Sequence, residues 1–136
     1  MSDSAILNHA ARILKLVQAG TPADQALRES LTQNRHFTAP AERRGISRAV
    51  FTYYRWWRWL ADGISPQKQL AAALELQKRF AANPAGFKSE ALAAKAVPDW
   101  LKDEMDALPA AWLAQLQREP VLWIRAKAGT GALLAK

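Results

Sequence analysis

Apolar residues recur every three or four positions along most of the chain, which is the spacing of amphipathic helices. The first such stretch predicts a helix over residues 4–19, which Gly20 ends. Thr21 and Pro22 then give the cap-and-proline signal of a second helix that continues to about Leu31. The chain is therefore expected to begin with two helices.

Two longer helices are predicted next. A polar loop over residues 32–39 precedes a third helix, which begins at Pro40 and ends at Gly63. A Ser-Pro pair at 65–66 starts a fourth helix, and an Asn-Pro pair at 83–84 stops it. After a second loop, residues 90–96 form a short helical turn, so residues 1–97 are expected to form an all-α bundle.

The last third of the chain has a different pattern. Pro98 begins a helix with acidic residues in its first turn, and Leu101, Met105 and Leu108 are expected on its inner face. Pro109 starts one more short helix. Residues 121–126 then alternate between two faces, as a strand does. Because a lone strand leaves its backbone groups unpaired, we expect the chain to be truncated within a larger protein.

The amino-acid composition excludes several classes of protein function. The 136 residues are 50% hydrophobic and 23% charged, as in one globular domain or a domain with a fragment of a second. The absence of cysteine excludes disulfides, thiolate zinc sites, iron–sulfur clusters and a thiol nucleophile. Neither a signal peptide nor a run of about 18 apolar residues occurs, so we expect a cytoplasmic protein without a membrane partner.

Positive charge is concentrated in one quarter of the sequence. Residues 34–68 carry seven basic and two acidic side chains, which accounts for most of the net charge of +7. Six of those seven cations are arginines, whose planar guanidinium donates two parallel hydrogen bonds to a phosphate. Nucleic acid is therefore the partner that this region predicts, with a solvated basic helix as the alternative.

The third helix separates its residues by face. At about 100° per residue, a core stripe comprises Ile46, Val50, Tyr53, Trp57 and Leu60. The opposite face carries Arg44, Arg48 and Arg55, flanked by Phe51 and Arg58 on one side and by Trp59 on the other. Guanidinium groups bind phosphates and aromatic rings stack on unpaired bases, so this face predicts an RNA-binding site. For Trp56 and Trp59, packing inside the bundle remains an equal alternative.

No catalytic or metal-binding constellation is apparent. Neither His9 nor His36 has a second ligand at a suitable spacing, and Ser47 has no partner base. The acidic side chains that follow Pro98 are expected to be solvated in the first turn of a helix rather than to bind magnesium. No glycine-rich phosphate loop follows a strand. We therefore expect no catalytic residues, no metal and no cofactor in this chain.

Four stretches together resemble the N-terminal region of the Sun/NOP-type ribosomal RNA (cytosine-C5) methyltransferases. These stretches are residues 10–20, 41–60, 97–105 and 118–127. The more specific pair comprises a Pro-x-Trp-Leu helix (Pro98, Trp100, Leu101) and a strand motif (Pro120, Leu122, Trp123, Ile124, Arg125). In the family these two motifs come just ahead of the catalytic domain. The family strand usually continues Arg-Val-Asn, whereas Ala126 and Lys127 follow here.

The resemblance implies a fold and a function. Residues 1–97 would be a bundle similar to the antitermination factor NusB, and residues 98–136 the start of a linker subdomain. The bundle would bind ribosomal RNA and position it for a missing catalytic domain that uses S-adenosylmethionine. The family's two cysteines are absent here, so this part is expected to bind RNA through Arg44, Arg48, Arg55, Arg58, Phe51 and Trp59 without catalysis.

Two other functions remain open at the level of the sequence. NusB-like folds also act as adaptors, and an aromatic edge formed by Trp56 and Trp59 would suit a protein partner or the missing catalytic domain. The basic helix also suggests a DNA-binding helix-turn-helix. Against that, no short helix joined by a tight turn precedes it.

Overall fold

The fold is all-α, as predicted. A computed structural model describes residues 3–34, 39–121 and 127–134, and every regular element in these ranges is helical. The four longest helices are α1 (Asp3–Gln18), α2 (Ala23–Gln33), α3 (Pro40–Trp56) and α4 (Pro66–Ala82). The shorter ones are α5 (Ser89–Lys95), α6 (Leu101–Glu104), α7 (Ala110–Gln117) and α8 (Gly131–Leu134). The predicted strand lies, apart from its first residue, outside the described residues.

Helix boundaries follow the local signals in the sequence. Gly20 has a φ of 112°, a conformation that favours glycine, and the N–H of Thr21 donates back to the carbonyl of Leu16 at 3.1 Å. At the start of α4, Ser65 Oγ accepts a hydrogen bond from the N–H of Lys68 at 3.3 Å. The predicted end of the first helix and start of the fourth are thus confirmed.

The first of two hydrophobic clusters joins α1, α2 and α3. Its buried residues are mainly aliphatic or small: Ala10, Ala11, Ile13, Leu14, Ala26, Leu27, Ile46, Ala49, Val50, Tyr53 and Leu70. Several alanines in this set let the helices approach closely. Leu70 adds α4 to the cluster, so the four long helices share one core.

The second cluster is rich in aromatic residues and joins the end of α3 to α4, α5 and α7. Trp56 lies at its centre, with ring centroids 5.4 Å from Trp59, 5.7 Å from Phe80 and 5.5 Å from Phe87. Leu113 of α7 is buried in the same cluster. Packing therefore extends past residue 97, and the division of the chain at that position stays a prediction.

The third helix is shorter than predicted. It ends at Trp56 rather than Gly63, because Trp56 has φ −103° and ψ 5° and a 3₁₀ turn over Trp57–Trp59 follows. The tighter turn changes the angular register. Trp56, the last residue of α3, is fully buried, whereas Trp57 in the turn is 53% exposed, so the placement of Trp57 in the core stripe is wrong. Tyr53, one turn earlier, is buried as predicted.

The helix predicted from Pro98 is also shorter. Only α6 is helical there, and Met105 already has an extended backbone with φ −126° and ψ 130°. Leu101 and Leu108 pack against the second cluster, but Met105 is 36% exposed. Its predicted inward position is wrong because the helix ends before reaching it.

Candidate nucleic-acid interface

Three aromatic side chains are exposed along α3 and the turn that follows. Phe51 is 55% exposed and Tyr54 is 39% exposed, and Trp57 follows three residues later. Residues three apart are neighbours on a helix surface, so Phe51 and Tyr54 lie on one side of α3, and Trp57 is exposed in the turn that follows. We call this surface the outer face, and it comprises Arg44, Phe51, Tyr54, Trp57 and Arg58.

Two predicted arginines belong to the outer face. Arg44 and Arg58 are both exposed. The Arg58 Cζ lies 5.2 Å from the centroid of the Trp57 ring, a cation–π contact. This contact orients the exposed indole while the guanidinium N–H groups keep their capacity to bind a phosphate.

Arg48 lies at the edge of the outer face and is paired. Its Nη2 is 2.8 Å from Oε2 of Glu119, and the two side chains are 62% and 46% exposed. Glu119 is 71 positions away, so no sequence window around α3 indicates this pair. A surface ion pair is worth about 0–1 kcal/mol, which leaves Arg48 open to exchange with another anion.

Arg55 does not lie on the open surface that the helical projection predicts. It is half-buried, and its Nη1 donates to Oε1 of Gln77 at 2.6 Å. Burial lowers the pKa of the Arg55 guanidinium, and the nearby charge of Glu119 opposes that shift. The geometry gives Arg55 a structural role between α3 and α4.

A buried polar network surrounds Gln77 and Gln117. Gln77 Oε1 also accepts from the indole N–H of Trp56 at 3.0 Å, and its Nε2 donates to the carbonyl of Gln117 at 3.3 Å. Gln117 Nε2 in turn donates to the carbonyl of Arg55 at 2.9 Å. The network joins α3, α4 and α7, and nothing in the local sequence pattern singles out either glutamine.

Trp59 belongs to the protein interior more than to the surface. It is half-buried, its indole N–H donates to Oε1 of Gln117 at 2.6 Å, and Lys95 Nζ lies 5.1 Å from its ring centroid. Its partner in the predicted docking edge, Trp56, is fully buried. The Trp56–Trp59 edge is therefore packed rather than presented to a partner.

Two surface aromatics were not among the predicted site residues. Tyr54 lies three positions after Phe51, so the helical projection already contained the signal that places it beside the arginines. Trp57 carried no such signal, because its exposure depends on the 3₁₀ turn that follows Trp56.

One histidine, His9, lies within the described residues. His9 is a buried residue of α1; burial and the charge of Arg12 lower its pKa, and Asn34 Nδ2 is 3.4 Å from its Nε2. His36 lies outside the described residues. Over the described ranges, no group of three or more histidine or acidic residues is placed to hold a metal ion. No helix in those ranges is long and apolar enough to cross a membrane.

Comparison with known proteins adds no relative. No family model matches the chain, and no curated protein or solved structure matches it either. The geometry of α3 and the resemblance of the motifs are therefore the observations that bear on function.

Proposed function

We propose that this chain is an RNA-binding domain whose outer face holds an unpaired segment of ribosomal RNA. The observation that carries the proposal is a group of exposed aromatic rings at the end of α3, Phe51, Tyr54 and Trp57, with the exposed arginines Arg44 and Arg58 in the same stretch of chain. In agreement with the resemblance, we place this domain, with a NusB-like fold, ahead of an S-adenosylmethionine-dependent cytosine-C5 methyltransferase domain.

Single-stranded RNA fits the outer face better than a duplex. Base stacking on an aromatic side chain contributes about 1–3 kcal/mol per base, and only unpaired bases expose both ring faces. In an A-form duplex the bases are stacked on each other and the major groove is too narrow for side chains. Exposed rings beside guanidinium groups therefore favour a strand whose bases stack and whose phosphates bind arginine.

The RNA proposal is tested by reversing charge on the outer face. Arg44→Glu combined with Arg58→Glu should weaken binding to a single-stranded RNA oligonucleotide. The salt slope, which is the slope of log K against the logarithm of the salt concentration, should become smaller in magnitude by about 1.4, because each lost phosphate contact removes about 0.7. The measurement is fluorescence anisotropy at several salt concentrations.

The matched control is Arg12→Glu combined with Arg28→Glu. Both residues are exposed on α1 and α2, and this pair makes the same change in net charge. The control should retain the wild-type salt slope. Equal losses in the two double variants would mean nonspecific attraction and would overturn the proposed interface.

The methyltransferase placement has its own test. In the reading frame beyond Lys136, we expect a glycine-rich cofactor loop and two cysteines. A downstream sequence without these features would contradict the placement and leave the RNA-binding proposal standing on the outer face alone.

A further inference from the structure

A cleft adjoins the outer face between α3, α4 and the segment that follows α7. Its volume is about 620 Å³, and its walls include Arg48 of α3 and Lys78 of α4, with Arg118 and Glu119 from the segment after α7. Arg48 is thus shared between the cleft and the edge of the outer face. Phe51 lies about one helical turn beyond Arg48 along α3. An RNA strand with a base stacked on Phe51 would therefore reach the cleft by passing Arg48.

The charges of the cleft favour an anion. Three cationic side chains, Arg48, Lys78 and Arg118, line it together with one carboxylate, Glu119. Apolar side chains, including Leu74 and Phe80, complete the walls. Three cations along one cleft together attract an anion more than a single exposed cation does.

The neighbouring cavity differs in charge. It has a volume of about 450 Å³ and also includes Arg48 and Lys78, but its walls carry the carboxylates of Asp3 and Glu75. Cations and carboxylates are balanced there. Arg48 and Lys78 line both cavities, whereas Arg118 lines the larger cleft and not its neighbour, so Arg118 gives the larger cleft its additional positive charge.

Glu119 marks where an anion binds in the cleft. Its Oε2 lies 2.8 Å from Nη2 of Arg48, which is the geometry of a charge-assisted hydrogen bond to a phosphate oxygen. A backbone phosphodiester carries one negative charge and two non-bridging oxygens, as a carboxylate does, so it can take the same position on Arg48, and the surface pair that it would replace is weak.

We propose that this cleft binds a phosphate of the RNA strand and that Glu119 is an internal competitor for that position. The proposal rests on the proposed RNA-binding function and extends it from the outer face to Arg48, Lys78 and Arg118. The RNA backbone enters the cleft as Glu119 leaves Arg48. Occupancy of the cleft is thereby coupled to the chain segment that follows α7.

Two substitutions with opposite expected effects test this subsite. Glu119→Gln should tighten RNA binding about two- to fivefold, since the competing ion pair costs up to about 1 kcal/mol. Lys78→Gln should weaken RNA binding and lower the salt slope by about 0.7. The controls are Glu104→Gln and Lys68→Gln, exposed residues outside the cleft, and both should match wild type.

The possible outcomes separate the two proposals. If Glu119→Gln and Lys78→Gln both bind RNA like wild type while the Arg44/Arg58 reversal abolishes binding, the cleft proposal is overturned and the proposed function stands. If the wild-type chain does not bind RNA, the proposed function fails, and the RNA subsite fails with it.

A second arm distinguishes RNA from a free phosphate ligand. Inorganic phosphate is titrated against the ¹⁵N-labelled chain, and the amide resonances of Lys78 and Arg118 are followed. Shifts at these two positions, combined with RNA affinities unchanged by both cleft variants, would assign the cleft to a free anion and overturn the RNA subsite. The RNA subsite would be supported if phosphate competes with RNA for binding to the chain and competes more strongly in the Glu119→Gln variant.

Discussion

The aromatic residues around the end of α3 divide into a buried set and an exposed set. Trp56 and Trp59 pack against Phe80 and Phe87, and their indole N–H groups bind Gln77 and Gln117. Phe51, Tyr54 and Trp57, within the same stretch of chain, lie on the surface. Residue type alone therefore does not decide which aromatic stabilises the fold and which is available to a ligand.

The buried and the exposed tryptophans differ in the polar groups that they contact. A buried tryptophan needs an acceptor for its N–H, and α4 and α7 each supply a glutamine. On the surface, Trp57 meets the guanidinium of Arg58 instead. The comparison thus separates a stabilising region from a binding region, and substitutions in the two regions should affect different measurements.

The largest difference is expected between the two adjacent tryptophans. Trp56→Ala should lower the free energy of unfolding by about 3–5 kcal/mol, because it removes a fully buried indole from the second cluster. Trp57→Ala should change it by less than about 1 kcal/mol. Urea unfolding followed by circular dichroism measures both. Similar losses in the two variants would remove the distinction between the regions.

A smaller effect is expected for the polar network. Gln77→Ala leaves the Trp56 N–H and the Arg55 guanidinium without their acceptor, which should cost about 1–3 kcal/mol of unfolding free energy. Gln67→Ala, on the same helix, is the control and should cost less than about 0.5 kcal/mol. If Gln77→Ala is as stable as its control, the network does not hold the buried set in place.

The sequence predicted the features that depend on local signals. The all-α class, the end of α1 ahead of Gly20 and the start of α4 after its cap Ser65 follow from periodicity and capping, and the structure confirms them. Phe51 was also placed on the arginine side of α3, where it is exposed.

The features that the sequence missed depend on distant contacts. Arg48 pairs with Glu119 at a separation of 71 positions, and Arg55 binds Gln77 across 22. The residues on either side of the 3₁₀ turn also have distant partners, because the indole N–H groups of Trp56 and Trp59 donate to Gln77 and Gln117. Helical projection assumes one continuous helix, so it assigned Trp57 to the core.

The RNA affinity of Trp57→Ala tests the central claim most directly, because this variant should stay folded while losing one stacking platform. We predict a loss of about 5- to 150-fold for a single-stranded RNA oligonucleotide, from about 1–3 kcal/mol per stacked base. Trp57→Phe, which keeps an aromatic ring, should retain most of the affinity. A folded Trp57→Ala variant that binds RNA like the wild-type chain would contradict the assignment of the outer face as the RNA-binding surface.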